Sequence, residues 1–326
     1  MIVGNELENW VRDRDRQRAT QGAIDAFRAA WTRQPVHQHF GAAIAALRHP
    51  GADEIALAAK RLFADDAWIE VLAASLAAPM RDDPYFLPPF QALKSEIHSG
   101  LLVYEDDHVQ IAAGVCGAAQ LAAKKNGSRG GSVNFNGQVT VLKFVRAGRA
   151  TLSFWEAPRI TGDFSAAHAG ACRKVGERRV AGGEVLIIDG RSQSYVIEHA
   201  RANILLLQAA IKADRAPLGV EYDAATGAYL GCSATDDADT RIQMMTTLLR
   251  KLDGGEAAFV AVAAFLDHPR FFVRWHAMRE LLGIDARAAR PRLAAMAARD
   301  PHPEVRAAAQ ATLARLDGLS GAREAA

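Results

Sequence analysis

Cysteine is scarce in this chain of 326 residues and occurs only at Cys116, Cys172 and Cys232. The number is odd, the three positions are far apart, and no two of them form a C-x-x-C pair. This spacing predicts neither a disulfide framework nor a zinc site, because both need cysteines that recur in pairs. We therefore expect three reduced thiols that are mostly buried as small apolar side chains.

Long apolar runs and an excess of one charge are also lacking. No stretch of about twenty apolar residues could span a bilayer. The N-terminal stretch is charged and contains no apolar core of the signal-peptide type, so we expect a cytoplasmic protein without membrane association. The 39 basic and 37 acidic residues leave a net charge of +2. Such a balance creates no global field that would favour nucleic acid as a partner.

Complete catalytic signatures are missing as well. The sequence contains no G-x-S-x-G elbow, no G-x-G-x-x-G fingerprint and no recognisable Ser/His/Asp arrangement. The basic, glycine-rich segment 124–131 lacks the spacing of a phosphate-binding loop, so we predict a solvated loop there. No specific enzymatic activity is therefore predicted from motifs alone.

What the sequence does contain is a change of hydrophobic period. Helical spacing gives way to short apolar runs near Leu101 and returns near Thr240. The length predicts two or three domains. The predicted fold class is α+β, with an N-terminal helical region, a central antiparallel β sandwich or barrel, and C-terminal helical pairs. The predicted segments are 1–97 with a linker, 98–236, 237–318 and a tail at 319–326.

The central segment is predicted to hold about six to nine short strands. Val139–Val145 and Ala150–Trp155 are rich in β-branched and aromatic residues and flank a short connection that contains Gly148, which is a hairpin signal. Glu184–Ile188 and Ser194–Glu198 flank a second turn in the same way. Short strands with regular turns favour a sandwich or a small barrel over a parallel sheet.

Gly162, His168 and Glu177 of this segment have a spacing that resembles the first motif of the cupin family. In that motif a glycine is followed, after five residues, by two histidines that are separated by one residue, and then by a glutamate. Here Gly162 precedes His168, the position of the second histidine is occupied by Gly170, and Glu177 follows. The resemblance implies a cupin-like double-stranded β-helix for the β-rich segment.

The resemblance also bears on a metal. In the second cupin motif the expected histidine falls near Gln193 or Ser194, so His168 is the one usual ligand that remains. A cupin iron site needs two or three imidazoles and a carboxylate. The further donors that the resemblance would allow are His199, Asp163 and Glu177. We therefore expect no cofactor, with iron at His168 as the alternative.

The C-terminal segment resembles HEAT repeats. Val273-Arg274 and Val305-Arg306 lie 32 positions apart, and each pair follows an Asp- and Pro-containing turn. Such a turn can begin a helix, while Val and Ala fill the seam between helices. The resemblance implies five packed helices. They are predicted at Thr240–Leu252, Glu256–Leu266, Phe272–Leu282, Ala286–Ala298 and Glu304–Leu316.

A group of arginines and aromatic residues near the first of these turns is the predicted binding surface. It consists of Arg270, Arg274, Trp275 and Arg279, which are residue types enriched at binding hot spots. Arginine suits a partner that carries carboxylates. In the alternative interpretation, the aromatic residues pack in the core and the arginines are struts between helices. Arg274 and Arg306 would then pair with acids such as Asp285 or Asp300.

Two functions follow from these patterns. The first is a non-enzymatic protein- or peptide-binding scaffold, built from a degenerate cupin-like domain and HEAT-like helices. The alternative is a cupin-type, metal-dependent oxygenase with His168 as an iron ligand. The sequence leaves the oligomeric state open.

Overall fold

The computed structural model describes residues 2–34, 36–47, 50–65, 67–127 and 131–324. The predicted α+β class is confirmed, with N-terminal helices, a central antiparallel β region and C-terminal helices. Of the predicted loop at 124–131, residues 128–130 lie outside the described residues. The chain divides into two compact units. Unit 1 comprises Met1–Arg159, Gly170–Ala216 and Val220–Leu230, and unit 2 comprises Ile160–Ala169, Pro217–Gly219 and Gly231–Ala326.

Unit 1 begins with a layer of helices. The α-helices are α1 (Ile2–Arg12), α2 (Arg14–Thr32), α3 (Gly41–Ala45), α4 (Ala52–Ala64) and α5 (Ala67–Asp82), and a π-helical turn spans Val36–Phe40. Asp13 separates the first two, because its side chain accepts hydrogen bonds from the backbone N–H groups of Asp15 and Arg16 and so caps α2. None of the described helices is both long and apolar enough to cross a membrane.

The β region contains twelve described strands and one helix. The strands are β1 (Gln91–Lys94), β2 (His98–Glu105), β3 (Val109–Cys116), β4 (Ser132–Phe135), β5 (Val139–Arg146), β6 (Thr151–Glu156), β7 (Arg173–Arg179), β8 (Val185–Asp189), β9 (Gln193–His199), β10 (Ile204–Ile211), β11 (Leu218–Asp223) and β12 (Tyr229–Ala234). Helix α6 (Ala118–Lys125) lies between β3 and β4.

Eight of these strands form a jelly roll. One sheet has the order β1-β2-β3-β10-β5-β8, a second has the order β7-β6-β9, and a third has the order β12-β11-β4. Strand β4 lies beside β9, where the hydroxyl of Ser194 donates to the carbonyl of Asn134 across 2.5 Å. The strands thus associate as nested pairs: β6 with β7, β5 with β8, β4 with β9, and β3 with β10. This is the double-sheet architecture of cupins, so the cupin-like β region is confirmed as a fold.

Both predicted hairpins are wrong. Strands β5 and β6 belong to different sheets, and so do β8 and β9. Gly148 and Arg149 both have positive φ, at 58° and 56°, and the chain passes here from one sheet to the other. A glycine-containing turn signals a change of direction, and a corner between two sheets produces the same local signal as a hairpin.

The two faces of the first sheet pack into different cores. Its outer face, which includes Val141 and Leu207, packs with Ile55 and Phe63 of α4 in one buried cluster. Because this face is covered by helices, even Lys143 is buried, and its ammonium donates to the carbonyl of Phe63 across 2.6 Å. The inner face packs in a second cluster inside the jelly roll. Strand β5 is therefore buried on both faces and shows no alternation.

Unit 2 consists mainly of helices. They are α7 (Asp237–Lys251), α8 (Gly255–Ala263) with a 3-10 turn at Ala264–Asp267, α9 (Phe271–Ile284), α10 (Ala286–Arg299) and α11 (Pro303–Glu324). All five predicted helices are present. Helix α11 continues through Glu324 and so includes most of the segment predicted as a tail. The core between α9, α10 and α11 is built around Met278, Leu293 and Val305.

Candidate functional site

A cavity of about 450 Å³ lies in unit 1 between the hairpin β2–β3 with its neighbour β1, and the jelly-roll strands β9 and β10. Its wall is largely apolar and contains a few polar side chains. The lining residues are Ala92, Leu93, Lys94, Ser95, His98, Ser99, Gly100, Ala112, Ala113, Gly114, Tyr195, Leu206 and Gln208. A mostly apolar concavity with a few convergent polar groups is the usual form of a small-molecule site.

The cavity exists because small residues align across neighbouring strands. Gly100 lies directly opposite Gly114, Gly114 lies opposite Leu206, and Leu206 lies next to Phe144 on β5. Leu206 and Phe144 fill the part of the sheet around β10 and β5. Gly100, Gly114 and the neighbouring Ala112 leave space above β2 and β3, because they have no side chain or only a methyl group. Gly100 cannot become larger, because a Cβ atom there would lie 2.6 Å from the carbonyl oxygen of Ala113.

Three polar side chains of the cavity are uncharged near neutral pH. Burial, with a contribution from Cys116, raises the pKa of Tyr195 to about 12. Burial, reinforced by the charge of Lys124, lowers the pKa of His98. Gln208 has no charge at any pH. Among the described residues, neither the hydroxyl of Tyr195 nor the side-chain amide of Gln208 has a hydrogen-bond partner, so both are available to a ligand.

His168 does not lie on a strand of the jelly roll. It ends a short 3-10 turn, Ala166–His168, in the connection between β6 and β7. Its Nδ1 atom is 2.7 Å from the hydroxyl of Ser165. The segment that resembles the first cupin motif therefore begins in a loop, and Glu177 lies on β7, whose residues are all exposed. The structure corrects the placement of that motif, although the fold it implied is present.

A cupin-like fold implies a metal, and the residues present do not fit one. Such a site needs several imidazoles and a carboxylate that converge on one point. Among the described residues, no three His, Cys, Asp or Glu side chains lie close enough together to hold a metal ion. The cavity itself contributes one imidazole, His98, and no carboxylate.

Within the predicted binding surface, Arg274 is a strut. Its Nε and Nη2 atoms bind the two carboxylate oxygens of Asp300 at 2.8 and 2.7 Å. Only 9% of the Arg274 side chain and 3% of the Asp300 side chain are exposed. The alternative interpretation holds for Arg274, which pairs with Asp300, but not for Arg306, whose Nη1 atom donates to the carbonyls of Asp300 and Pro301 and which pairs with no acid among the described residues. Arg274 is therefore not available to a partner.

The other members of that surface differ in accessibility. Arg270 is partly buried, and its Nε atom lies 3.6 Å from a carboxylate oxygen of Asp239. Trp275 is partly buried and packs against the core around Met278. Arg279 is exposed, and its guanidinium lies 3.2 Å from Nδ1 of His276. Of the four residues predicted to form the binding surface, Arg279 is thus exposed, Arg270 and Trp275 are partly buried, and Arg274 is buried.

The cavity was not found by reasoning from the sequence. Its residues carry no motif, and Gly100, Ala112 and Gly114 look merely like weak positions in two strands. The available signal was the density of small residues in Ala112–Gly114, next to another glycine in the preceding strand. Glycine in a strand interior often marks a place where something approaches closely.

Comparisons with known proteins give similarity in structure alone. No protein-family model matches the chain, and no curated protein matches it. A cupin domain from Bordetella pertussis Tohama I is 14% identical, with a TM-score of 0.23, and the match covers 37% of this chain and 99% of that chain.

Two further solved structures give similar values. A sugar phosphate isomerase of the cupin superfamily from Silicibacter pomeroyi is 9% identical, with a TM-score of 0.25, and the match covers 46% of this chain and 90% of that one. Ectoine synthase from P. lautus is 9% identical, with a TM-score of 0.22, and the match covers 37% and 69% of the two chains. At such low scores these similarities carry no argument about activity. The cupin-like character of the β region follows from its own strand order.

Proposed function

We propose that this protein is a non-enzymatic binding protein whose jelly roll holds a small, mostly apolar molecule. The observation that carries this proposal is the cavity of about 450 Å³, with the side chains of Tyr195 and Gln208 exposed to its interior. The volume falls within the range of roughly 300–1,000 Å³ that is usual for small-molecule sites. The absence of a convergent donor set among the described residues favours binding over metal-dependent oxygenation.

The chemistry of the wall indicates the class of ligand. Leu206, Ala112 and the glycines of β2 and β3 contact an apolar body. The hydroxyl of Tyr195 donates or accepts one hydrogen bond, and the amide of Gln208 does both. A ligand with a hydroxyl or carbonyl group suits these neutral groups, and Lys94 contributes one positive charge to the lining.

A cavity-filling variant tests this proposal. Ala112→Phe should occupy the space beside Gln208, because residue 112 lies directly opposite Gln208 and lines the cavity. A set of small phenols, aromatic alcohols and ketones is screened by thermal shift. At least one compound should raise the melting temperature of the unmodified protein, since a ligand that binds only the folded state stabilises it. The same compound should leave Ala112→Phe unchanged.

Conservative variants serve as controls for that screen. Tyr195→Phe removes only the hydroxyl in the cavity and should weaken binding, whereas Tyr85→Phe removes a hydroxyl that does not line it. If no compound stabilises the unmodified protein, or if Ala112→Phe responds equally, the cavity is not a ligand site.

A second candidate function is the protein- or peptide-binding scaffold predicted from the sequence. The observation that favours it is the exposure of Arg279 on α9 and of all four arginines of α10, a helix that carries no acidic residue. A helical unit with an accessible basic surface suits an acidic polypeptide. The HEAT-like character of these helices is part of this second candidate.

A further inference from the structure

Two segments of unit 2 make the same internal contact. The Nη1 atom of Arg274 donates to the carbonyls of His268 and Pro269 at 2.9 and 3.2 Å. Arg306, which lies 32 residues later, donates from Nη1 to the carbonyls of Asp300 and Pro301 at 2.6 and 3.0 Å. Each arginine therefore fixes the turn that precedes its own helix, and the two turns are structurally equivalent.

The two arginines differ at the opposite edge of the guanidinium group. In Arg274, Nε and Nη2 bind the carboxylate of Asp300, which belongs to the turn of the following segment. In Arg306, no carboxylate or other acceptor among the described residues contacts Nε or Nη2. The guanidinium of the partly buried Arg306 is held by two carbonyls, and among the described residues no acid occupies the edge equivalent to the one that binds Asp300 in Arg274.

The residue just before each turn also differs in charge. Asp267 lies next to the first turn, and the equivalent position before the second turn is Arg299. Arg299 is exposed and has no acidic partner among the described residues. An acidic residue before the first turn is thus replaced by a basic one before the second, where the carboxylate of Asp300 is already bound by Arg274 and Glu304 adds one further acid. Arg299 therefore adds one positive charge in sequence next to the turn that Arg306 holds.

We propose that Nε and Nη2 of Arg306 bind the side-chain carboxylate of an aspartate in an acidic partner polypeptide, with Arg299 as the flanking charge. The inference rests on the second candidate function and names its site and its partner chemistry. An aspartate of a polypeptide fits this edge of Arg306 because Asp300, which lies in an Asp-Pro turn of the same chain, binds the equivalent edge of Arg274. A guanidinium fork that is already oriented loses little freedom when it binds a carboxylate through two hydrogen bonds.

The chain supplies its own probe for this site. A fluorescein-labelled, N-acetylated peptide that copies residues 300–305 contains the aspartate that occupies the equivalent edge of Arg274. Fluorescence anisotropy with the full-length protein should give a dissociation constant below about 1 mM. A peptide with asparagine in place of that aspartate should bind about tenfold more weakly, because it loses the charge-assisted pair. This comparison leaves the protein itself unchanged.

Protein variants complete the test. Arg306→Lys keeps the charge but not the two-pronged geometry, and Arg306→Gln removes both, so affinity should fall about tenfold in each. Arg315→Gln, an exposed change on the same helix, should have no effect. The melting temperature of each variant shows whether it is folded, since Arg306 also holds its turn.

The possible outcomes separate this inference from the proposed functions. Equal binding of the aspartate and asparagine peptides, or unchanged binding by folded Arg306→Lys, would overturn it. Loss of binding in Arg279→Glu but not in Arg306→Lys would support the scaffold function and reject this site. If the unmodified protein self-associates but does not bind the peptide, and the self-association is lost in Arg306→Gln, the partner of Arg306 is a second copy of the chain and not an acidic peptide. The thermal-shift screen with small ligands tests the cavity in the jelly roll, and its result does not depend on whether Arg306 binds a peptide.

Discussion

At the scale of single residues, Arg274 and Asp300 illustrate how burial changes the role of a charge. Burial alone would raise the pKa of Asp300, but hydrogen bonds from Arg274 and from the backbone N–H of His302 lower it. The carboxylate is therefore ionised in the folded protein at neutral pH. Each charge then depends on the other, because neither can regain its hydration.

Removal of either Arg274 or Asp300 should therefore lower the stability of the folded protein. We expect Arg274→Ala to lower the free energy of unfolding by about 3–5 kcal/mol, because it leaves the carboxylate of Asp300 buried without its partner. The measurement is urea denaturation followed by circular dichroism. Arg290→Ala, which breaks an exposed pair with Asp317, is the matched control and should cost no more than about 1 kcal/mol. Equal effects of the two substitutions would contradict the strut assignment.

Residues also explain what the sequence could and could not predict about the candidate site. The pairing of Arg274 with Asp300 was accessible, because both lie in a repeated pattern with a regular interval. The cavity was not, because its shape depends on which residues of different strands lie opposite each other. Gly100, Gly114 and Leu206 are neighbours only through strand register, and register is fixed by the whole sheet.

At the scale of secondary structure, the helices of unit 2 were predicted well because Asp- and Pro-containing turns before a helix are local signals. The strands of the jelly roll were predicted less well. Strand β7 was missed because all seven of its residues are exposed and most are charged. Strand β5 was found through its composition, but its pairing was assigned to the wrong neighbour. Local turn chemistry does not specify whether a chain stays in one sheet or passes to another.

The corner between β5 and β6 provides a test of that distinction. Gly148 has a φ of 58°, and an added Cβ atom would lie 2.1 Å from the carbonyl oxygen of Ala202. Gly148→Ala should therefore lower the free energy of unfolding by about 2 kcal/mol or more, through backbone strain and this clash. Gly176→Ala on β7 is the matched control, because nothing lies within 4 Å of its added Cβ atom. Urea midpoints measure both. If Gly148→Ala has the same urea midpoint as Gly176→Ala, neither backbone strain nor the contact with Ala202 constrains the corner.

At the scale of the whole molecule, a cupin-like fold occurs although no three His, Cys, Asp or Glu side chains among the described residues lie close enough together to hold a metal ion. Fold and site are separable, because the jelly roll is stabilised by its two apolar cores, whereas a metal site needs a few donors on particular strands. Apart from the single imidazole of His98, the strand residues that line the cavity include glycine, alanine, tyrosine and glutamine. These residues can bind an organic molecule but are poor ligands for a transition metal.

Metal content therefore separates the two functions predicted from the sequence. We expect protein purified without a chelator to contain well below one iron, zinc or manganese per chain, because His98 and His168 each offer one imidazole without convergent donors among the described residues. Inductively coupled plasma mass spectrometry of the unmodified protein, His98→Ala and His168→Ala measures this directly. The trace content should be the same in all three. About one metal per chain, lost in either variant, would identify that histidine as a ligand and would favour the oxygenase over the binding protein.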